Sequence, residues 1–376
     1  MYRRRNPPPL LWQEMWLRRS SEGGRSGTLA HAVGTARSLL DLVAEANLAE
    51  LTSLETVMTE WTSQKLLPNA LLNVLWDTLQ GLQPAMAAAA DRRGALALLN
   101  MAAASDGTLL RVKTDLLIKQ VHSSKADLDL ARHGYVALQR VAASGPVAPR
   151  AAKAILGSAE KLLVECPSDA TDAWYATAEQ ALNAAFAVGD APERWSTDVL
   201  RKMGSAAFAP EEEGASEPPT SVDPTTLSRL IFSLGHVAIK TVAHIEACEK
   251  MMGKKRAAMA EGTVAKKGGA KKGSKEAQEE EDALAQELGS SVAQAEADAD
   301  YLVALGEKLL APNELLGAWA PLVVAACANA DGEFGVEVRA AAVLTLCKFM
   351  CVSASFCEAQ LQLLFSVLQV RRTHTP

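Results

Sequence analysis

Pro68-Asn69-Ala70-Leu71-Leu72-Asn73-Val74-Leu75-Trp76-Asp77-Thr78-Leu79 sets Leu71, Leu72, Leu75 and Leu79 on one face of a helix, behind a proline suited to a helix start. The same pattern recurs on both sides. Upstream, Leu39, Leu40 and Val43 form one apolar stripe, and Leu51, Leu54, Met58 and Trp61 the next. Downstream come Leu98, Leu99 and Ala102; Leu110, Leu117 and Val121; Leu130, Ala137, Leu138 and Val141; and Ile155, Ala159, Leu162 and Leu163. Trp174, Ala178, Ala181 and Phe186 follow, then Trp195, Val199 and Met203 behind Asp190-Ala191-Pro192. Short breaks such as Asp106-Gly107, Ser144-Gly145-Pro146 and Pro167-Ser168-Asp169 carry turn chemistry.

Stripes return about every 20 residues and helix pairs about every 40, the period of HEAT or armadillo units. One amphipathic pair cannot cover its own apolar face, so neighbouring pairs must stack. The expected fold is all-α, a HEAT/armadillo-like α-solenoid. Composition agrees. Hydrophobic residues make up 49% of the 376-residue chain and aromatics only 5%, while the helix formers Ala and Leu dominate nearly every segment.

The expected organisation follows these shifts. Residues 1–27 form a disordered basic tail, with Arg3, Arg4, Arg5, Arg18, Arg19 and Arg25 around Pro7-Pro8-Pro9; it resembles a transit peptide only faintly. Residues 28–203 carry the helical repeats. Residues 204–222, with Glu211-Glu212-Glu213 and Pro218-Pro219, read as a solvated linker. Asp223-Pro224 opens a long amphipathic helix over 223–250, with Leu227, Leu230, Ile231, Leu234, Ala238 and Ile245 on one face. Residues 251–290, first Lys-rich and then acidic, are expected to be disordered. Helices resume over 291–368, and 369–376 is a tail. In this last region Asn313 is expected to cap a helix with Leu316, Trp319 and Val323, which Pro321 should kink. Val336, Ala340, Val343, Leu344 and Cys347 make the next stripe; Ser355 and Glu358 read as a capping box ahead of Leu361, Leu364, Phe365 and Leu368. That final stripe should lie uncovered and favour self-association.

No HExxH, GxSxG, Walker A or GxGxxG pattern occurs. Gly268-Gly269-Ala270-Lys271-Lys272-Gly273 lacks the phosphate-loop spacing and follows no strand. The six cysteines form no CxxC pair and sit mostly in apolar patterns, so they read as buried thiols in a reducing compartment rather than as metal ligands. His236 and His244 are two turns apart with Lys240 between them, and could hold a metal only with ligands from elsewhere. His236, Lys240 and His244 are therefore expected to present a polar helix face to a neighbouring segment or partner. Neither enzyme, cofactor, metal nor small-molecule substrate is expected, and no segment reads as a membrane span.

The lysine cluster Lys254, Lys255, Arg256, Lys266, Lys267, Lys271, Lys272 and Lys275 is the candidate functional element. Without interleaved aromatics it cannot stack on single-stranded bases. Three readings stand: a solubilising linker, a contact to the phosphates of duplex DNA or chromatin, and a nuclear-import signal. A net charge of −6 argues against nucleic-acid binding over the whole surface.

Leu234-Gly235-His236-Val237-Ala238-Ile239-Lys240, then a charged insert, then Glu307-Lys308-Leu309-Leu310, Ala340 to Met350 and Ser353-Ala354-Ser355-Phe356-Cys357-Glu358-Ala359-Gln360-Leu361 with Leu363-Leu364-Phe365, resembles condensin complex subunit 1. The resemblance covers about residues 38–368 and is most specific in the last third. It implies a non-catalytic HEAT subunit of condensin, in the nucleus and on chromosomes with a cytoplasmic pool, acting in mitotic chromosome condensation. The implied partners are the kleisin, the SMC ATPase subunits, double-stranded DNA and chromatin, histones included. That family's proteins are several times longer, so the chain is expected to be an internal piece or a truncated gene model. The rival reading is a generic HEAT or armadillo adaptor in nuclear transport or vesicle traffic.

Overall fold

The computed structural model describes residues 25–122, 127–165, 173–208, 222–267, 300–329 and 332–370; for 25–28, 255–267 and 370 it describes the backbone alone. Cys166 and the expectations placed on 1–24, 209–221, 268–299 and 371–376 lie outside these residues. The described residues are all-α, and they form two compact units that divide between Asp190 and Ala191.

The first unit contains α1 (Arg25–Glu45), α2 (Leu48–Ser63), α3 (Asn69–Gln80), α4 (Ala89–Ala102), α5 (Thr108–Arg111), α6 (Thr114–His122), α7 (Leu128–Ala143), α8 (Pro149–Glu165) and α9 (Ala173–Val188). Each packs against its near neighbours in the chain: α3 on α4, α1 on α3, α2 on α4, α6 on α7, α6 on α8, and α7 and α8 on α9. Such next-neighbour stacking is how helical-repeat arrays bury their apolar stripes. The opening stretch forms α3 as its periodicity predicts. Leu71, Leu72, Leu75 and Leu79 are buried, Pro68 precedes the first turn, and Gly81 closes the helix in the left-handed region at φ 74°.

Polar clasps set the stacking. Thr177 Oγ1 donates to the Leu128 carbonyl at 2.9 Å, and Trp174 Nε1 to that of Leu162 at 3.2 Å. Arg111 donates to the Pro146 and Val141 carbonyls and to Ser144 Oγ, satisfying the end of α7 where the Ser144-Gly145-Pro146 break leaves carbonyls unpaired.

The second unit contains α10 (Pro192–Ala207), α11 (Pro224–Lys267), α12 (residues 300–309), α13 (Leu315–Ala328), α14 (Val336–Val352) and α15 (Ala354–Val370). α10 packs on α11, so it joins this unit rather than the upstream repeats that sequence grouped as 28–203. α11 lies along α14, and α13 and α15 flank α14. Pro224–Lys254 is long and apolar enough to cross a bilayer, but more than half of its apolar window is buried among other helices, as in a core helix.

Several local expectations are corrected here. α13 starts at Leu315 with Glu314 at its N-cap, so Asn313 does not cap it, and the helix runs on through an exposed Pro321. The buried face of α14 is Val338, Ala341, Ala342, Thr345, Leu346 and Phe349; Val336 is 84% exposed and Leu344 56%. The stripe read from sequence was rotated because α14 is apolar nearly all round. Its neighbours, not its periodicity, choose which side turns inward. Among the described cysteines only Cys327 is buried and Cys351 is exposed.

Candidate macromolecular interface

α11 carries most of the residues singled out from sequence. Asp223 caps its start: its Oδ2 accepts from the Thr226 amide at 2.9 Å and from Thr226 Oγ1, and these bonds hold its carboxyl below the ordinary carboxylate range. Leu227, Leu230, Ile231, Leu234 and Ala238 are buried. Gly235 lets α14 approach: a Cβ there would lie 2.6 Å from Thr345 Oγ1 and 3.0 Å from Thr345 Cα. The same threonine donates to the Ile231 carbonyl at 2.8 Å, a bond that fixes the register of the two helices.

His236 sits inside this seam, 8% exposed and stacked on Phe232 with ring centroids 6.2 Å apart. Lys348 of α14 places Nζ 4.7 Å from the centre of the Phe232 ring. Burial, then the charges of Lys348 and Lys240, push the imidazole down to about 3, so it is neutral at physiological pH. His236 is thus part of the core rather than a residue offered to an outside partner, because the helix face it shares with Phe232 is the one α14 covers. Lys240 and His244 are half-exposed, and His244 Nε2 lies 3.6 Å from Cys248 Sγ.

Beyond Ala238 the burial of α11 falls away, and Lys250 and Lys254 are exposed. The helix continues to Lys267, so the backbone that carries Lys254, Lys255, Arg256, Lys266 and Lys267 is helical where sequence suggested disorder from 251. Gly253 and Gly262 argued for disorder, but Ala, Met, Lys and Glu between them are good helix formers. With the first half already folded against α14, extension carries no new nucleation cost. Lys271, Lys272 and Lys275 lie outside the described residues. The structure therefore brings His236, Lys240 and Lys348 together at the seam and continues the basic run along one helix. Lys348 escaped the sequence reading because nothing local marks a lysine in an apolar run as facing a helix more than a hundred residues upstream.

Catalytic chemistry finds little to work with among the described side chains. No group of three or more metal-ligating residues occurs there. The Cys327 thiol is pushed up to about 12 by burial and by Cys347, and Cys347 is itself raised by burial and Cys351, so neither supplies a ready thiolate.

No family model matches the chain. It is 27% identical over 370 residues to the condensin-1 complex subunit CAP-D2 of Arabidopsis thaliana, covering 90% of this chain and 25% of that protein. It is 28% identical over 369 residues to condensin complex subunit 1 of Schizosaccharomyces pombe, covering 92% and 31% respectively. With the Xenopus laevis condensin complex subunit 1 it shares 24% identity over 373 residues, 93% of this chain and 26% of that protein. The chain is a homologue of these subunits over about nine-tenths of its length, and it spans about a quarter to a third of theirs.

Proposed function

We propose that this homologue of condensin complex subunit 1 is a non-catalytic scaffold, holding the kleisin and SMC ATPase subunits and contacting duplex DNA or chromatin during chromosome condensation in the nucleus. The observation that carries this reading is colinear homology across plants, fungi and animals along nearly the whole chain. Stacked helices suit the role, because they offer an extended partner many exposed helix faces in series. The basic end of α11 supports the DNA contact. Lys250 and Lys254 are exposed on a helix, and phosphate neutralisation needs charge rather than a base-reading pocket. Glu246 and Glu249 sit earlier on the same helix, which places the favourable field towards its far end.

Affinity purification of the full chain from dividing cells tests the scaffold reading. Recovery of SMC ATPase subunits and a kleisin supports it; recovery of import or coat proteins instead overturns it in favour of a transport adaptor. DNA binding is tested separately by its salt dependence. Neutralising Lys254, Lys255, Lys266, Lys267, Lys271 and Lys272 together should flatten the dependence of log K on log salt by about 0.9 for each phosphate no longer neutralised. An unchanged slope moves the DNA contact off α11.

A further inference from the structure

α11 brings an imidazole and a thiol together on one face. His244 and Cys248 are four residues apart, so their side chains neighbour one another across a single helical turn. His244 Nε2 and Cys248 Sγ stand 3.6 Å apart, and both side chains are half-exposed, so both can turn towards a common ion. His236, the residue with which spacing first groups His244, is buried in the seam with α14. Cys248 is therefore the neighbour that gives His244 its chemistry.

That separation is the one a tetrahedral zinc ion requires. With Zn–N of about 2.0–2.1 Å and Zn–S of about 2.3 Å, the two donor atoms of a tetrahedral site lie about 3.6 Å from each other. The folded helix thus holds both donors at ligand spacing before any ion arrives. Imidazole and thiolate also favour zinc over the hard ions magnesium and calcium, which take oxygen ligands. From this geometry we propose that His244 and Cys248 form a two-residue zinc clip on α11. On binding, the Cys248 S–H bond breaks, Sγ and Nε2 each give a lone pair to the ion, and one proton leaves to solvent. No third His, Cys, Asp or Glu joins them among the described residues, so water completes the coordination. The clip lies beyond Ala238, where the burial of α11 falls away, and just ahead of exposed Met251, Met252 and Lys254. It ties two successive turns together and so stiffens the helix that carries the basic run. The inference concerns these two side chains and does not rest on the scaffold reading.

Titration of the full, reduced 376-residue chain with cobalt(II), a spectroscopic substitute for zinc, tests it. The expected result is saturable binding with a thiolate-to-cobalt charge-transfer band that added zinc abolishes. The band should be lost in Cys248→Ala and in His244→Ala and kept in Cys351→Ser, which removes an exposed thiol elsewhere. Melting curves without metal establish that each variant is folded. In the wild-type chain, which needs no substitution, zinc should slow amide exchange from His244 to Met252, because it binds the folded helix in preference to the open one. A chain that gives no band, a band that survives either alanine substitution or disappears with Cys351→Ser, or zinc that leaves those amides unprotected overturns the inference and leaves the pair as a hydrogen bond only.

Discussion

Ser353 Oγ donates to Glu307 Oε2 at 2.6 Å, across 46 residues of sequence. The same carboxylate accepts from the Ser355 amide at 3.0 Å and from the Ser355 hydroxyl, while Ser353 Oγ accepts from the Phe356 amide at 3.0 Å. α15 is therefore capped jointly by its own Ser353 and by a glutamate of α12. The expected box between Ser355 and Glu358 does not form, because Ser355 already lies inside the helix and Glu307 occupies the free amides.

Glu307→Gln should lower stability by about 0.5–1 kcal/mol, the low end for a lost N-cap because the carboxylate is solvated. These hydrogen bonds, from Ser353 first and then Ser355, hold Glu307 down at about 2 against an ordinary 4.5. A lowered carboxyl favours the folded state above its unfolded value. The wild-type advantage over Glu307→Gln should thus be full above pH 4.5 and fade as pH falls towards 2. Urea midpoints of the two proteins across that range check it; a constant difference refutes the cap.

Gly235→Ala should separate α11 from α14. The added methyl meets Thr345 Cα and Cβ as well as its hydroxyl, and rotation about χ1 moves only the hydroxyl. A loss of about 1–3 kcal/mol is expected, as for other overpacked cores. Thr345→Val, which keeps the shape but removes the second hydrogen bond to the buried Ile231 carbonyl, should cost about 1 kcal/mol. Thermal melts of both variants decide, and a neutral Gly235→Ala would mean the helices are further apart.

His236 makes stability fall with acidification. Its folded pKa of about 3 lies below the ordinary 6.5, so in that interval only the unfolded chain takes up the proton. Half-buried His133, lowered to about 4 chiefly by desolvation and then by Arg132, acts in the same direction. Stability should decline from pH 6.5 downward, and His236→Gln should make the decline shallower. Denaturant titrations at neutral pH and about one to two units lower measure this; equal slopes would place the imidazole in solvent.

Hydrogen exchange should grade α11 along its length. Amides around Leu230 to Ala238, in the buried seam, should exchange slowest, and those from Met251 to Lys267 faster but still slower than an unstructured chain. Exchange at the unstructured rate from Met251 onward would restore the boundary at 250 that composition suggests.

The helices and their inward residues were legible wherever one face is apolar and the other polar. α3, α7, α8 and α9 bury Leu71, Leu138, Leu162 and Trp174 as their periodicity requires, and α3, α7 and α10 meet their expected breaks at Pro68, Ser144 and Pro192. These are local properties, set by 3.6-residue geometry and turn chemistry, and one stretch of sequence contains them. Tertiary structure alone decided the rest. α14 is apolar nearly all round, so the choice of Thr345 over Leu344 as an inward residue came from Gly235 and the Ile231 carbonyl opposite it. His236 went inside because α14 covers that turn of α11, and Ser353 displaced Ser355 as cap because Glu307 arrives from another helix. Each of these depends on a partner far away in the chain, and a residue's own neighbours in sequence carry no information about such a partner.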